Sequence, residues 1–135
     1  MTQHKYSGRC LCGAIRYEIH GEIGEILHCH CQRCRKSNGT AFATNAPVRI
    51  KDFKFTQGEN LLKTFQSSET TQRCFCQECG SPIMGIKASA PEFYRLRLGS
   101  LDSIISQKPT RHIFVADKAS WDIICDGLPQ HDQWP

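Results

Sequence analysis

Long hydrophobic runs are missing from these 135 residues. Apolar stretches are short, such as Ile113-Phe114-Val115-Ala116, against the ~20 residues a helix needs to cross a bilayer. No membrane span is therefore expected. The amino end, Met1-Thr2-Gln3-His4-Lys5-Tyr6, lacks the apolar core of a secretory signal, so a cytoplasmic location is expected. Internal repeats, low-complexity tracts and linkers are absent too, and residues 1–135 are expected to form a single domain. Charge of one sign does not dominate either. The formal net charge is +4, from 17 basic and 13 acidic residues.

Cysteine is what the chain has in excess, with nine residues. An odd number argues against a complete disulfide framework. In a reducing compartment, closely spaced cysteines are more often metal ligands, because thiols are kept reduced there. Metal also changes the charge balance. Seven thiolates holding two Zn²⁺ ions would bring the net charge to about +1, because a ligating thiol is deprotonated. The basic excess then gives no case for a nucleic-acid partner, and the aromatic residues are not interleaved with lysine and arginine in a stacking pattern.

Period-two alternation is the main secondary-structure signal. Ile15, Tyr17 and Ile19 fall on one face of a strand, as do Tyr94, Leu96 and Leu98, which leaves Arg95 and Arg97 outward. Further short strands are expected near 41–44, 61–65, 71–75, 82–86, 112–115 and 121–124. Helical signal is thin. Residues 31–38 suit about two turns closed by Gly39 in the left-handed position, and 101–105 suits one turn. The expected fold class is mostly β, of short antiparallel strands whose limited core gains stability from metal cross-links.

The cysteines fall into clusters. Cys10-Leu11-Cys12-Gly13 is one, Cys29-His30-Cys31-Gln32-Arg33-Cys34 a second, and Cys76-Gln77-Glu78-Cys79-Gly80 a third, with Cys74 and Cys125 apart. In an extended segment residues i and i+2 point to the same side, so each C-x-C can offer two sulfurs to one ion. In a C-x-x-C a tight turn does the same, and a following glycine accepts the positive φ that closes it. Cys10, Cys12, Cys76 and Cys79 would fill a tetrahedral zinc shell, with Zn–S near ~2.3 Å. Cys29, Cys31 and Cys34 remain. Three ligands leave a fourth position for water or substrate, the pattern of a catalytic zinc. The alternative is a closed shell completed by Cys74, His28 or Cys125.

Other residues have plainer readings. Cys125 sits among Ile123, Ile124 and Leu128 and reads as a small buried hydrophobe. Cys74 reads as a packed free thiol, and His28 and His30 as hydrogen-bonding residues beside the cluster. Arg33, Arg35 and Lys36 flank the three-cysteine group. They are either a solvated face or a recognition surface for the carboxylates of an anionic ligand.

The ordered set of motifs resembles a known family. Gly8-x-Cys10-x-Cys12-Gly13 is followed by Cys29-His30-Cys31-x-x-Cys34-Arg35-Lys36-x-x-Gly39. Arg73-x-Phe75-Cys76-x-x-Cys79-Gly80-Ser81-Pro82 comes next, then Gly99-Ser100-Leu101-Asp102, His112-Ile113-Phe114, Lys118-Ala119-x-Trp121 and Asp126-Gly127-Leu128-Pro129. Together these resemble the glutathione-dependent formaldehyde-activating enzyme family, which also includes centromere protein V. The resemblance implies a tent-like fold of several small antiparallel sheets. It implies two zinc ions per chain, a structural one on Cys10, Cys12, Cys76 and Cys79 and a catalytic one on Cys29, Cys31 and Cys34. It further implies carbon–sulfur lyase chemistry on a small thiol such as glutathione and a small aldehyde, giving S-(hydroxymethyl)glutathione from formaldehyde. Cys74 and Cys125 lie outside the motif. The competing reading is a non-catalytic zinc-stapled module that binds a protein or nucleic-acid partner.

Overall fold

Side-chain alternation builds the first of two sheets. The computed structural model describes residues 5–135. In it β1 (Lys5–Arg9) pairs antiparallel with β2 (Arg16–His20), and β2 pairs antiparallel with β5 (Phe53–Gln57). Ile15, Tyr17 and Ile19 are at most 1% exposed, each burial contributing roughly 1.5–3 kcal/mol. Tyr17 stacks on Phe53 with ring centroids 4.7 Å apart. Its hydroxyl lies 2.7 Å from Ser100 Oγ, so the phenol is buried without an unmet hydrogen bond.

The second sheet has seven strands. Their spatial order is β10 (Arg111–Ile113), β3 (Leu27–Cys29), β4 (Ala43–Arg49), β9 (Phe93–Arg97), β8 (Pro82–Lys87), β7 (Thr71–Cys76) and β6 (Leu62–Gln66). Every pair in it is antiparallel except β10 with β3, which runs parallel. Pro47 is tolerated inside β4 because β3 pairs only with its first three residues. On the side that β3 has vacated, the Pro47 carbonyl accepts from Gly24 N–H at 2.9 Å, so no ladder bond is lost to the missing N–H. The main core lies between the sheets. Ile15, Tyr17, Ile19 and Phe53 meet Val48, Ile83, Met84 and Leu96 there, together with Cys10, Cys74 and Cys76. A smaller apolar cluster comprises Leu27, Cys29, Cys34, Ala43 and Ile113.

The mostly β fold and its several sheets agree with expectation. The helix does as well: α1 (Gln32–Asn38) ends at Gly39, with φ 66° and its N–H on the Arg35 carbonyl. Three strands lie outside the expected set, namely β1, β3 and β5. The expected strand at 121–124 does not form. Trp121 and Ile123 are exposed, and the Lys118 ammonium holds the turn by donating to the Asp122 carbonyl at 2.6 Å. The expected helical turn at 101–105 gives way to a 3₁₀ turn at Leu98–Ser100, after which Leu101 bridges to Gly8. The outward arginines of β9 are the largest correction. Leu96 is buried as expected, yet Arg97 is only 7% exposed, and Arg95 and Arg97 both line a partly open cavity. Both faces of this strand are covered, one by the core and one by that cavity, and alternation alone cannot reveal a polar interior.

Candidate metal centre and its cavity

Two loops make the first cysteine group. Cys10 and Cys12 come from the turn after β1, Cys76 ends β7, and Cys79 lies in the turn that follows it. The four sulfurs lie within 4.8 Å of one another, with Cys10–Cys12 at 3.6 Å and Cys12–Cys76 at 3.9 Å. A tetrahedral four-thiolate shell with Zn–S of ~2.3 Å has sulfur–sulfur edges of about 3.8 Å, so the donors fit a metal of that size. The turns share one design. Gly13 (φ 77°) donates to the Cys10 carbonyl and Gly80 (φ 79°) to the Cys76 carbonyl, at 3.1 and 2.7 Å. Each glycine takes the left-handed conformation that closes its loop. Ser81 ties the loops together, its Oγ accepting from Leu11 N–H at 2.9 Å and lying 3.2 Å from Cys79 Sγ. That hydroxyl helps hold the Cys79 thiol down to about 5.

Six residues make the second group. Cys29 ends β3, Cys31 caps α1, and Cys34 lies in its first turn. Cys31 Sγ accepts from Cys34 N–H at 3.3 Å, taking the place of the usual hydroxyl or carboxylate cap. The three sulfurs also lie within 4.8 Å of one another, with Cys34–Cys29 at 3.5 Å. Among the described residues no fourth histidine, cysteine or carboxylate joins them. Cys74 is buried in the main core, 3.5 Å from Thr64 Oγ1. Cys125 is exposed, a correction to its expected burial that follows from the missing strand at 121–124. His28 Nδ1 pairs with Thr44 Oγ1 at 2.9 Å. His30 is fully buried, its Nε2 2.8 Å from His112 Nδ1, and His112 Nε2 in turn lies 2.9 Å from Asp126.

The second group opens onto a cavity of about 310 Å³. Its walls carry Arg33, Arg73, Lys87, Arg95 and Arg97, against the single carboxylate of Asp117. Arg73 points both terminal guanidinium nitrogens at Cys34 Sγ, at 3.8 and 3.9 Å, and is anchored by Nε on Ser67 Oγ at 3.1 Å. Hydrogen bonds from Cys29 and Cys31, then the charges of Arg73 and Arg97, pull the Cys34 thiol well below its ordinary value. The same sulfur contacts push Cys29 up. Burial brings the Arg97 guanidinium down to about 10 and lowers Arg95 and Lys87. Of the three basic residues flanking the cluster in sequence, only Arg33 lines the cavity. Four other cations do instead, and only Arg73 among them stood in a motif, Arg73-x-Phe75-Cys76. Asn45 also lines the cavity, and its side-chain oxygen is buried without a hydrogen-bond partner.

The model of the glutathione-dependent formaldehyde-activating enzyme family matches residues 5–117, a stretch that holds both cysteine groups. The chain belongs to this family. Relatives with names include an uncharacterized lyase of Schizosaccharomyces pombe, 32% identical over 58% of this chain and 56% of its own length. A putative glutathione-dependent formaldehyde-activating enzyme of Aspergillus oryzae is 26% identical over 56% of this chain and 41% of its own. These matches thus span about half of each curated relative. A crystal structure of a Rhodobacter sphaeroides protein superposes with a TM-score of 0.62 at 27% identity, covering 74% of this chain and 91% of that one. Trp134 and Asp126 lie beyond the part of the chain that the family model matches. Among the described residues no helix is long and apolar enough to cross a membrane.

Proposed function

We propose that Cys29, Cys31 and Cys34 hold a catalytic zinc ion, and that the protein is a carbon–sulfur lyase acting on adducts of a small thiol. Addition of glutathione to formaldehyde, giving S-(hydroxymethyl)glutathione, is the type reaction. Cys10, Cys12, Cys76 and Cys79 hold a structural zinc. The observation that carries this reading is the pairing of an incomplete donor set with a cationic cavity. Among the described residues three thiols converge with no fourth protein ligand, and five cations face one carboxylate around them. The names of the fungal relatives point the same way.

When bound by the three cysteines, zinc supplies Lewis acidity that favours thiolate over thiol at neutral pH. The remaining work falls to the chain. Arg33 and the half-buried Arg95 and Lys87 draw in an anionic thiol and hold its carboxylates, with the carboxylate-matching geometry that guanidinium offers. Arg73 and Arg97 stabilise negative charge at the sulfur end. The reaction forms a C–S bond between thiolate and aldehyde carbon, and the thiol proton ends on the former carbonyl oxygen. The reverse reaction breaks the same C–S bond and returns the proton to the thiol.

Exchange NMR on S-(hydroxymethyl)glutathione in equilibrium with glutathione and formaldehyde tests this directly. The zinc-loaded protein should raise the interconversion rate above that in buffer, and Cys34→Ser should return it to the uncatalysed value. A rate indistinguishable from buffer for the zinc-loaded protein would contradict the lyase reading.

A further inference from the structure

The residue between the ligands differs between the two C-x-C segments. Leu11, between Cys10 and Cys12, is 87% exposed, and its backbone N–H donates to Ser81 Oγ. His30, between Cys29 and Cys31, is fully buried. Cys29 and Cys31 line the cavity and His30 does not, as alternation along an extended segment requires. The second segment is therefore held from behind, through an imidazole.

That imidazole belongs to a chain whose direction the distances fix. His112 Nε2 lies 2.9 and 3.1 Å from the two Asp126 oxygens. The contact holds the Asp126 carboxyl below its usual range, so the carboxylate is ionised and can only accept. His112 must donate to it through Nε2–H, which leaves His112 Nδ1 an acceptor. His30 Nε2, 2.8 Å away, must then donate to His112. His30 Nδ1 is left as a bare lone pair. It faces Asp122 Oδ2 at 3.9 Å, beyond hydrogen-bond reach. Both atoms are buried, and neither has a hydrogen-bond partner among the described residues. Two facing acceptors account for that gap, so Asp126 orients His30 and Asp122 does not.

The far end of the chain is anchored. Asp126 Oδ1 accepts from Leu128 N–H at 3.1 Å. His112 N–H donates to the Pro129 carbonyl, and its own carbonyl accepts from His131 N–H, both at 2.9 Å. At the near end, His30 N–H donates to the Ile113 carbonyl at 3.0 Å. Main chain and side chain of His30 are thus both fixed by β10. Four sulfurs drawn from two distant turns constrain one another around an ion. Three sulfurs from one short segment do not, and groups outside the ligand set must aim them.

We propose that His112 and Asp126 are positioning residues of the second metal group. Acting through His30, they fix the separation and aim of the Cys29 and Cys31 sulfurs, and so set how tightly a three-thiolate site keeps its ion. The proposal rests on the reading that Cys29, Cys31 and Cys34 hold zinc. Neither residue lines the cavity, and their effect on the ion is indirect.

Zinc-loaded protein is titrated with a competing chelator while native mass spectrometry counts the ions retained, and cobalt-substituted protein is recorded in parallel. Asp126→Ala removes a half-exposed side chain. It should release the second ion at about tenfold lower chelator concentration than the wild type, with the first ion held as before. The cobalt bands of the second ion should shift, because its thiolates are aimed differently. His112→Phe keeps a ring and removes both nitrogens, and should lose at least as much. His112→Asn, whose amide oxygen can accept from His30, should recover most of the loss. Imidazole NMR of the wild type should find the His30 proton on Nε2. Loosening of both ions together would mark a general structural role and overturn the proposal. So would a His30 proton on Nδ1, or unchanged retention of the second ion in both Asp126→Ala and His112→Phe, and either result leaves the zinc reading standing. A wild type that retains one zinc ion would remove both.

Discussion

The two cysteine groups use the same ligand chemistry in different surroundings. Cys10, Cys12, Cys76 and Cys79 come from turns more than sixty residues apart, and two of them are packed into the main core between the sheets. Backbone amides and Ser81 surround their sulfurs. Cys29, Cys31 and Cys34 come from one strand end and one helical turn, sit in the minor apolar cluster, and face arginines. The first group joins distant parts of the chain and its donor set is full. The second joins nothing distant, and among the described residues its donor set is short by one. On the proposed function, a metal at the first place would contribute mainly to folding, and one at the second mainly to chemistry. Closure and chain separation, rather than cysteine count, set the two apart.

Mutations should divide along that line. The largest effect is expected from Cys76→Ser, which removes a fully buried donor from the long-range cross-link. Loss on the order of 5 kcal/mol, comparable to the whole stability of many domains, should leave the protein largely unfolded by circular dichroism. Cys34→Ser should cost far less, about 1–2 kcal/mol. It should keep the native spectrum while the bound zinc falls from two ions to one, measured by mass spectrometry under native conditions. If the two variants unfold alike, both groups are structural. Arg73→Gln should be milder still, keeping both ions and weakening glutathione binding about tenfold, because Cys34 loses its guanidinium donors. Cys125→Ser should shift stability by less than about 0.5 kcal/mol, since that thiol is exposed and outside both groups. A larger change would mean that a cysteine beyond the seven matters.

The parts of this molecule legible in sequence are those encoded locally. Ile15, Tyr17 and Ile19 announce their strand by alternation, Gly39 announces a helix end, and glycines after the ligand turns announce positive φ. The cysteine spacings allowed the two groups that the structure brings together. What escaped depends on partners distant in sequence. β3 is three residues long, and besides β4 it pairs with β10, more than eighty residues away. β5 is different, since Phe53 and Phe55 alternate as a strand does and encode it locally. Arg95 and Arg97 alternate with apolar residues as a solvent-facing pair would, and only the fold shows that their solvent is a cavity. Trp134 reaches that cavity from the far end of the chain. Arg35 and Lys36 show the converse, close to the cysteines in sequence yet outside the cavity lining.

The central claim is that the two groups differ in closure, and cobalt tests it most directly. Replace both ions with cobalt(II), confirm two thiolate-bound ions per chain, and titrate glutathione while recording the ligand-field bands. The account predicts that the bands of one ion shift saturably while those of the other stay fixed. Two ions whose bands both stay fixed at saturating thiol would show two closed shells and contradict it.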